Sequence, residues 1–217
     1  MTALVADQIT VSYGQQHVLD GLTIHIGQGE TVGLRGPSGC GKSTLVRVLA
    51  MVQPVDRGQV TIDGTPVTGT RHRVPAAVRT RIGVLFQSPR SATDPRLRLA
   101  DIIAEPLRST GHPEATVQTR VAELADLAGL TTDLLARRPH AVSDGQLQRA
   151  CLARALAHRP GYVLCDEATT MLDASTQAHV AAVLTDYQRA TNAGILAVSH
   201  DQLLLDKWAH RIVTIGR

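Results

Sequence analysis

Residues 36 to 44 read Gly-Pro-Ser-Gly-Cys-Gly-Lys-Ser-Thr, the spacing G-x-x-x-x-G-K-[ST]. No other stretch constrains the chain as strongly. Gly36, Gly39 and Gly41 let the backbone turn tightly enough to aim its N–H groups at phosphate oxygens. A helix that starts directly behind such a loop brings its positive dipole end to the same place. In this arrangement Lys42 reaches the β- and γ-phosphates, and the Ser43 hydroxyl can ligate Mg²⁺. Pro37, Ser38, Cys40 and Thr44 complete the lining. The flanks agree. The apolar run Glu30 to Leu34 predicts a strand leading in, and Ser43 to Met51 predicts a helix leading out. By itself the loop specifies a nucleoside triphosphatase or a kinase and no more.

Other segments narrow the choice. Tyr162-Val163-Leu164-Cys165-Asp166-Glu167 is a short apolar run ending in two carboxylates. It reads as a buried parallel strand with acids at its carboxyl end, where open α/β sheets bind ligands. Asp166 suits Mg²⁺ coordination, and Glu167 suits a base that polarises an attacking water. Ser143-Asp144-Gly145-Gln146 opens the amphipathic run Leu147 to Leu156. Ser143 and the N–H groups behind it are placed to hold a phosphate, although Ser-Asp also starts many ordinary helices. Gln87 precedes Ser88-Pro89, Tyr13 sits in Val11-Ser12-Tyr13-Gly14, and His200 follows Ala197-Val198-Ser199. Singly, each has an ordinary reading: polar punctuation, a strand aromatic, a surface histidine.

Taken in order, these segments carry a resemblance. The chain resembles the nucleotide-binding domain of ABC transporters. Ser143-Asp144-Gly145-Gln146 is similar to that family's Leu-Ser-Gly-Gly-Gln signature, and Gln87 matches its Q-loop. Met171-Leu172-Asp173 matches the D-loop, His200 the switch histidine, and Tyr13 the aromatic that stacks on adenine. The motifs run from residue 13 to residue 201. The resemblance implies two such domains paired head to tail, with each ATP held between one P-loop and the other chain's signature segment. It implies that Glu167 polarises the water and that His200 steadies the γ-phosphate. Gln87 senses Mg²⁺ and links the site to a membrane subunit, while Asp173 communicates across the dimer.

Two departures stand in the signature. Val142 replaces its first leucine, a mild apolar swap. Asp144 replaces its first glycine and brings a like charge near the γ-phosphate, unless the side chain points away. The Ser-Asp-Gly-Gln form also occurs in the family's peptide and nickel importers. The segment Gln87 to Arg96, leading to Ile102-Ile103-Ala104-Glu105-Pro106-Leu107-Arg108, is similar to the same group. That group implies integral membrane permease subunits, a second ATPase subunit, like or unlike, and an extracytoplasmic solute-binding protein. Two other readings stay open. One is the ATPase of a phosphonate carbon–phosphorus lyase complex. The other is a largely non-hydrolytic partner in an asymmetric dimer, motivated by Asp144.

Composition agrees. Lys plus Arg is 22 against Asp plus Glu 19, a balance too weakly basic to predict a nucleic-acid partner. One Trp, one Phe and three Tyr leave no base-stacking platform beyond Tyr13. Cys40, Cys151 and Cys165 are scattered, lack metal-site spacing and read as reduced thiols. No run approaches the ~18 apolar residues of a membrane helix, and Met1 to Asp7 lacks the pattern of a secretory signal. The resemblance then implies a place at the cytoplasmic face of a membrane, held by partners.

The predicted fold is α/β: a P-loop core, a mixed sheet flanked by helices, with an antiparallel β subdomain. Leu4 to Ser12 and His17 to Ile26 form an antiparallel pair, joined by Gln59 to Ile62 with Asp63-Gly64 as a turn. Runs at Ile82 to Phe86, Val163 to Cys165, Ile195 to Val198 and Ile212 to Ile215 supply parallel strands. Helices are expected at Lys42 to Met51, Glu114 to Ala128, Gly145 to His158 and Ser175 to Thr191. The resemblance makes 1–217 a single domain, with 1–87 and 160–217 as the ATP-binding core and 88–159 as an inserted helical subdomain.

Overall fold

The structure, a computed structural model, describes residues 2–167 and 174–216. Antiparallel and parallel pairings separate into two sheets. β1 (Ala3–Tyr13), β2 (Gln16–Gly27), β4 (Arg57–Ile62) and β5 (Thr65–Val67) form an antiparallel sheet in the order β2-β1-β4-β5. β3 (Thr31–Arg35), β6 (Ile82–Leu85), β7 (Tyr162–Asp166), β8 (Gly194–Val198) and β9 (Arg211–Thr214) form a parallel sheet in the order β6-β7-β8-β3-β9.

The parallel strands β7 and β8 are buried along their whole length because both of their faces are covered. In β7, Tyr162 and Leu164 pack into a core shared with the antiparallel sheet and with α1 (Lys42–Leu49). Val163 and Cys165, pointing the other way, pack into a second core built mostly from helices. Those helices are α3 (Leu99–Ser109), α4 (Glu114–Leu127), α5 (Thr132–Leu135), α6 (Asp144–Ala155) and α7 (Ala174–Thr191). The short α2 (Ala76–Arg79) precedes β6, and α8 (Gln202–Trp208) precedes β9. Between β6 and β7 every α or β element is helical.

Parallel register sets the level of the site. Leu34 of β3 and Asp166 of β7 both pair with Val198 of β8, and Leu85 of β6 pairs with Cys165. Four chain segments therefore leave the sheet within a residue of one another. They begin Gly36, Glu167 and Ser199, with Gln87 alongside.

Candidate active site

The P-loop wraps the start of α1. Gly41 occupies the cap position at φ 99°, and no side chain caps the helix. A Cβ there would lie 2.7 Å from Leu19 Cδ2 and 2.8 Å from the Val18 carbonyl oxygen. A Cβ at Gly36 would lie 2.4 Å from the Ile215 carbonyl oxygen. Gly39 differs from both: a Cβ there would meet nothing within 4 Å, but its φ is 80°. Glycine is thus demanded by contact at Gly36, by conformation at Gly39 and by both at Gly41. With no capping side chain, the first-turn N–H groups remain available to an anion. β2, which touches the loop through Val18 and Leu19, turns back from β1 at Tyr13, whose ring is about half exposed (49%). The loop's Thr44 is buried, and Cys40 is half-buried with a free thiol.

Lys42 lies across the loop. It is buried, and its Nζ donates to the carbonyl oxygens of Gly36 and Pro37, both at 2.9 Å. Glu167 Oε1 lies 3.8 Å from the same nitrogen. The Ser43 hydroxyl donates to Asp166 Oδ1 at 3.0 Å. Asp166 is only 5% exposed. Burial holds its pKa above the ordinary carboxylate value; the Ser43 hydrogen bond works against the rise and the Glu167 charge reinforces it. A hydroxyl and a buried carboxylate side by side are hard oxygen donors of the type a divalent cation takes. Among the described residues no group of three or more His, Cys, Asp or Glu side chains forms a protein-only metal cluster. A cation here would therefore need oxygens from water and a bound phosphate, as Mg²⁺ does.

Glu167 is where the segments meet. His200 Nε2 lies 2.8 Å from its Oε1, and Gln87 Nε2 donates to its Oε2 at 3.2 Å. The residue has φ 49°, a left-handed conformation that costs a non-glycine residue of order 1–3 kcal/mol. Its N–H donates to the Val198 carbonyl at 3.1 Å, and the sheet holds the strained turn in place. The residues on either side of His200 are held in place. The Asp201 N–H donates to the hydroxyl of buried Ser199, and Asp201 caps α8 through the Leu204 N–H.

Ser143, Gly145 and Gln146 stand apart from this cluster, at the start of α6. Ser143 and Gln146 form a reciprocal capping box: Gln146 N–H to Ser143 Oγ at 3.2 Å, and Ser143 N–H to Gln146 Oε1 at 3.0 Å. Gly145 is close to Thr176 at the start of α7. A shallow depression opens here, lined by Ser143, Gly145, Gln146, Arg149, Thr176 and His179. The structure thus brings the P-loop, Asp166, Glu167, Gln87 and His200 together, and none of these residues lines the depression at 143–146. Asp173, with the rest of Thr170 to Asp173, lies outside the described residues.

One residue of this region escapes sequence reading. Arg90 pairs with Asp144, Nε to Oδ1 at 2.7 Å, and the two are half-exposed. The only sequence signal is an arginine three residues past Gln87, 54 positions before its partner.

Comparison with known proteins follows the same lines. The ABC transporter family model matches residues 19–170. The chain is 39% identical to the nickel import ATP-binding protein NikE of Brucella suis biovar 1, over 99% of this chain and 85% of that protein. It is 37% identical to the oligopeptide transport ATP-binding protein OppF of Escherichia coli K12, over 91% of this chain and 60% of that one. It superposes on the dimeric structure of MJ0796, a bacterial ABC transporter cassette, with a TM-score of 0.88 at 26% identity, covering 99% and 94% of the two chains. The chain belongs to the ABC transporter family, as one of its ATP-binding ATPase domains.

Proposed function

We propose that this chain powers an importer for peptides, nickel or a metal chelate, working as the ATPase beneath separate membrane permeases. No described helix is long and apolar enough to cross a membrane. Permease subunits would hold the chain at the cytoplasmic face, and an extracytoplasmic binding protein would deliver the cargo. NikE and OppF, named for nickel import and oligopeptide transport, support this range of cargo.

The site residues take these roles. The loop amides of residues 36–44 cradle the phosphates, with Gly39 at the bend, and Lys42 turns from its loop carbonyls to the β- and γ-oxygens. Ser43 and Asp166, with Gln87 at the rim, would hold Mg²⁺, which neutralises charge on the phosphates. Tyr13 stacks on adenine. Glu167 takes the proton side of the attacking water, while His200 and Gln87 orient it and the γ-phosphate. Ser143, Gly145 and Gln146 contact the triphosphate held by a second ATPase domain, like or unlike, so that two helix starts face one nucleotide. Asp173 relays between the two sites. Residues 88–159 form the helical subdomain that carries the signature segment. Catalysis on this plan is positioning and charge stabilisation, with no covalent step on the protein.

The observation that carries the reading is the convergence of Lys42, Gln87 and His200 on the strained carboxylate Glu167. The test joins two measurements. Glu167→Gln should keep ATP binding and lower turnover by at least ~100-fold. The tagged chain, drawn from its host's membranes in mild detergent, should bring down permeases and a binding protein. Retained turnover removes Glu167 from its role. Co-purification with soluble phosphonate-processing enzymes and no permease replaces transport while leaving the ATPase chemistry standing.

A further inference from the structure

We propose that Arg90 is a positioning residue that neutralises Asp144 and so makes the start of α6 fit to receive a triphosphate. The inference rests on the reading that residues 143–146 complete a neighbouring domain's ATP site. Asp144 is the first residue of α6, between Ser143 and Gly145. A helix start attracts anions through its N–H groups, and a bare carboxylate among them repels phosphate.

Arg90 removes that conflict with every nitrogen of its guanidinium. Nε meets Asp144 Oδ1 at 2.7 Å, Nη1 donates to the Pro139 carbonyl at 3.0 Å, and Nη2 donates to the Val142 carbonyl at 3.2 Å. The guanidinium is thus clamped to the chain that enters the helix, and it draws the carboxylate toward itself. A half-exposed ion pair contributes little to fold stability. Its effect belongs to the moment a phosphate approaches and water leaves. The planar fork matters as well as the charge, because a lysine ammonium cannot span three acceptors in this geometry.

The loop that carries Arg90 also carries Gln87, which touches Glu167. A second tie runs from Gln148 of α6 to the Phe86 carbonyl at 3.3 Å. Arg90 therefore joins the start of α6, which serves the neighbour's nucleotide, to the loop that reads this chain's own site.

The experiment is a double-mutant cycle in the full chain with its co-purifying subunits, read as kcat and KM for ATP. Arg90→Ala should lower kcat about tenfold, with KM within about twofold. Arg90→Lys should recover only part of the loss. Arg90→Ala combined with Asp144→Gly should return to the level of Asp144→Gly alone, because no carboxylate then needs neutralising. That rescue also shows that the arginine variant folds. Additive losses, or an Arg90→Ala protein as fast as wild type, overturn the proposal. Gly145→Asp separates the two levels. If it abolishes turnover while Arg90→Ala does nothing, only the role of Arg90 fails. If it leaves turnover intact, the reading of 143–146 fails and this inference falls with it.

Discussion

Asp166 carries a buried carboxylate that its neighbours only partly compensate. It is buried with its charge offset by a single hydroxyl, by Lys42 and by Arg47, and burial outweighs these partners. Asn in its place keeps an oxygen for the Ser43 hydroxyl and removes the buried charge. In nucleotide-free protein with a chelator present, Asp166→Asn should raise Tm, by about 2–4 °C for each kcal/mol of burial cost relieved in a chain of this size. Turnover should be lost. Calorimetry with an ATPase assay checks both, and a lower Tm would mean that the carboxylate's partners outweigh its burial. Lys42, Ser43, Asp166 and Glu167 were legible in sequence because motif spacing ties them to a strand end or a helix start. The motif also marked Gly36, Gly39 and Gly41, but only the fold separates the glycines that need space from the one that needs only its backbone angle. Arg90 was not legible, since an ion pair across 54 residues leaves no local pattern. The orientation of Asp144 was equally out of reach.

Among elements, strongly patterned ones were read nearly to their ends. β1, β2, β6, β7 and β8 follow from alternation or short apolar runs, and α1, α4, α6 and α7 from their periodicity. α3 was not among the expected helices, and Pro106 lies inside it. β5 has three residues and α8 only seven, too few to show a period. The Pro106 carbonyl falls in the last turn of α3, where intrahelical N–H partners run out. His158, just past α6, bonds the Pro106 carbonyl at 3.1 Å, as does the Ser109 hydroxyl at 2.8 Å. Burial holds the His158 pKa below 6.5; the Pro106 carbonyl partly opposes this, and the nearby His112 adds to it. The sign follows. The unfolded chain takes up a proton near pH 6.5 while the folded chain resists it. Stability is therefore whole above that pH and is lost as pH falls toward the depressed value. His158→Gln keeps a donor without the titration. Melting curves from about pH 7.5 to 5.5 should fall less steeply for this variant than for wild type; parallel curves would remove His158 as a cause.

At the scale of the whole molecule, two cores share one parallel sheet, and a polar contact adds to the core that joins the antiparallel sheet to it. Tyr162, fully buried at the start of β7, donates its hydroxyl to Asp63 in the β4–β5 turn, and Arg81 pairs with the same carboxylate. Tyr162→Phe should cost about 1–3 kcal/mol and lower Tm by about 2–12 °C, with ATP turnover per folded molecule retained. An unchanged Tm in thermal unfolding would show that Arg81 alone fastens the turn. What the sequence by itself determined was chemistry carried by neighbours along the chain: a phosphate loop between strand and helix, paired acids at a strand end, a capped helix. Spacing along a backbone of known geometry is enough for these. What only the tertiary structure decided was which ends meet. Parallel register across β6, β7, β8 and β3 brings Gln87, Glu167, His200 and Lys42 to one level. The return of α6 beside the loop that follows β6 sets Arg90 against Asp144. Those contacts depend on how sheets and helices bury their apolar faces against one another, a property of the whole chain that no single segment contains.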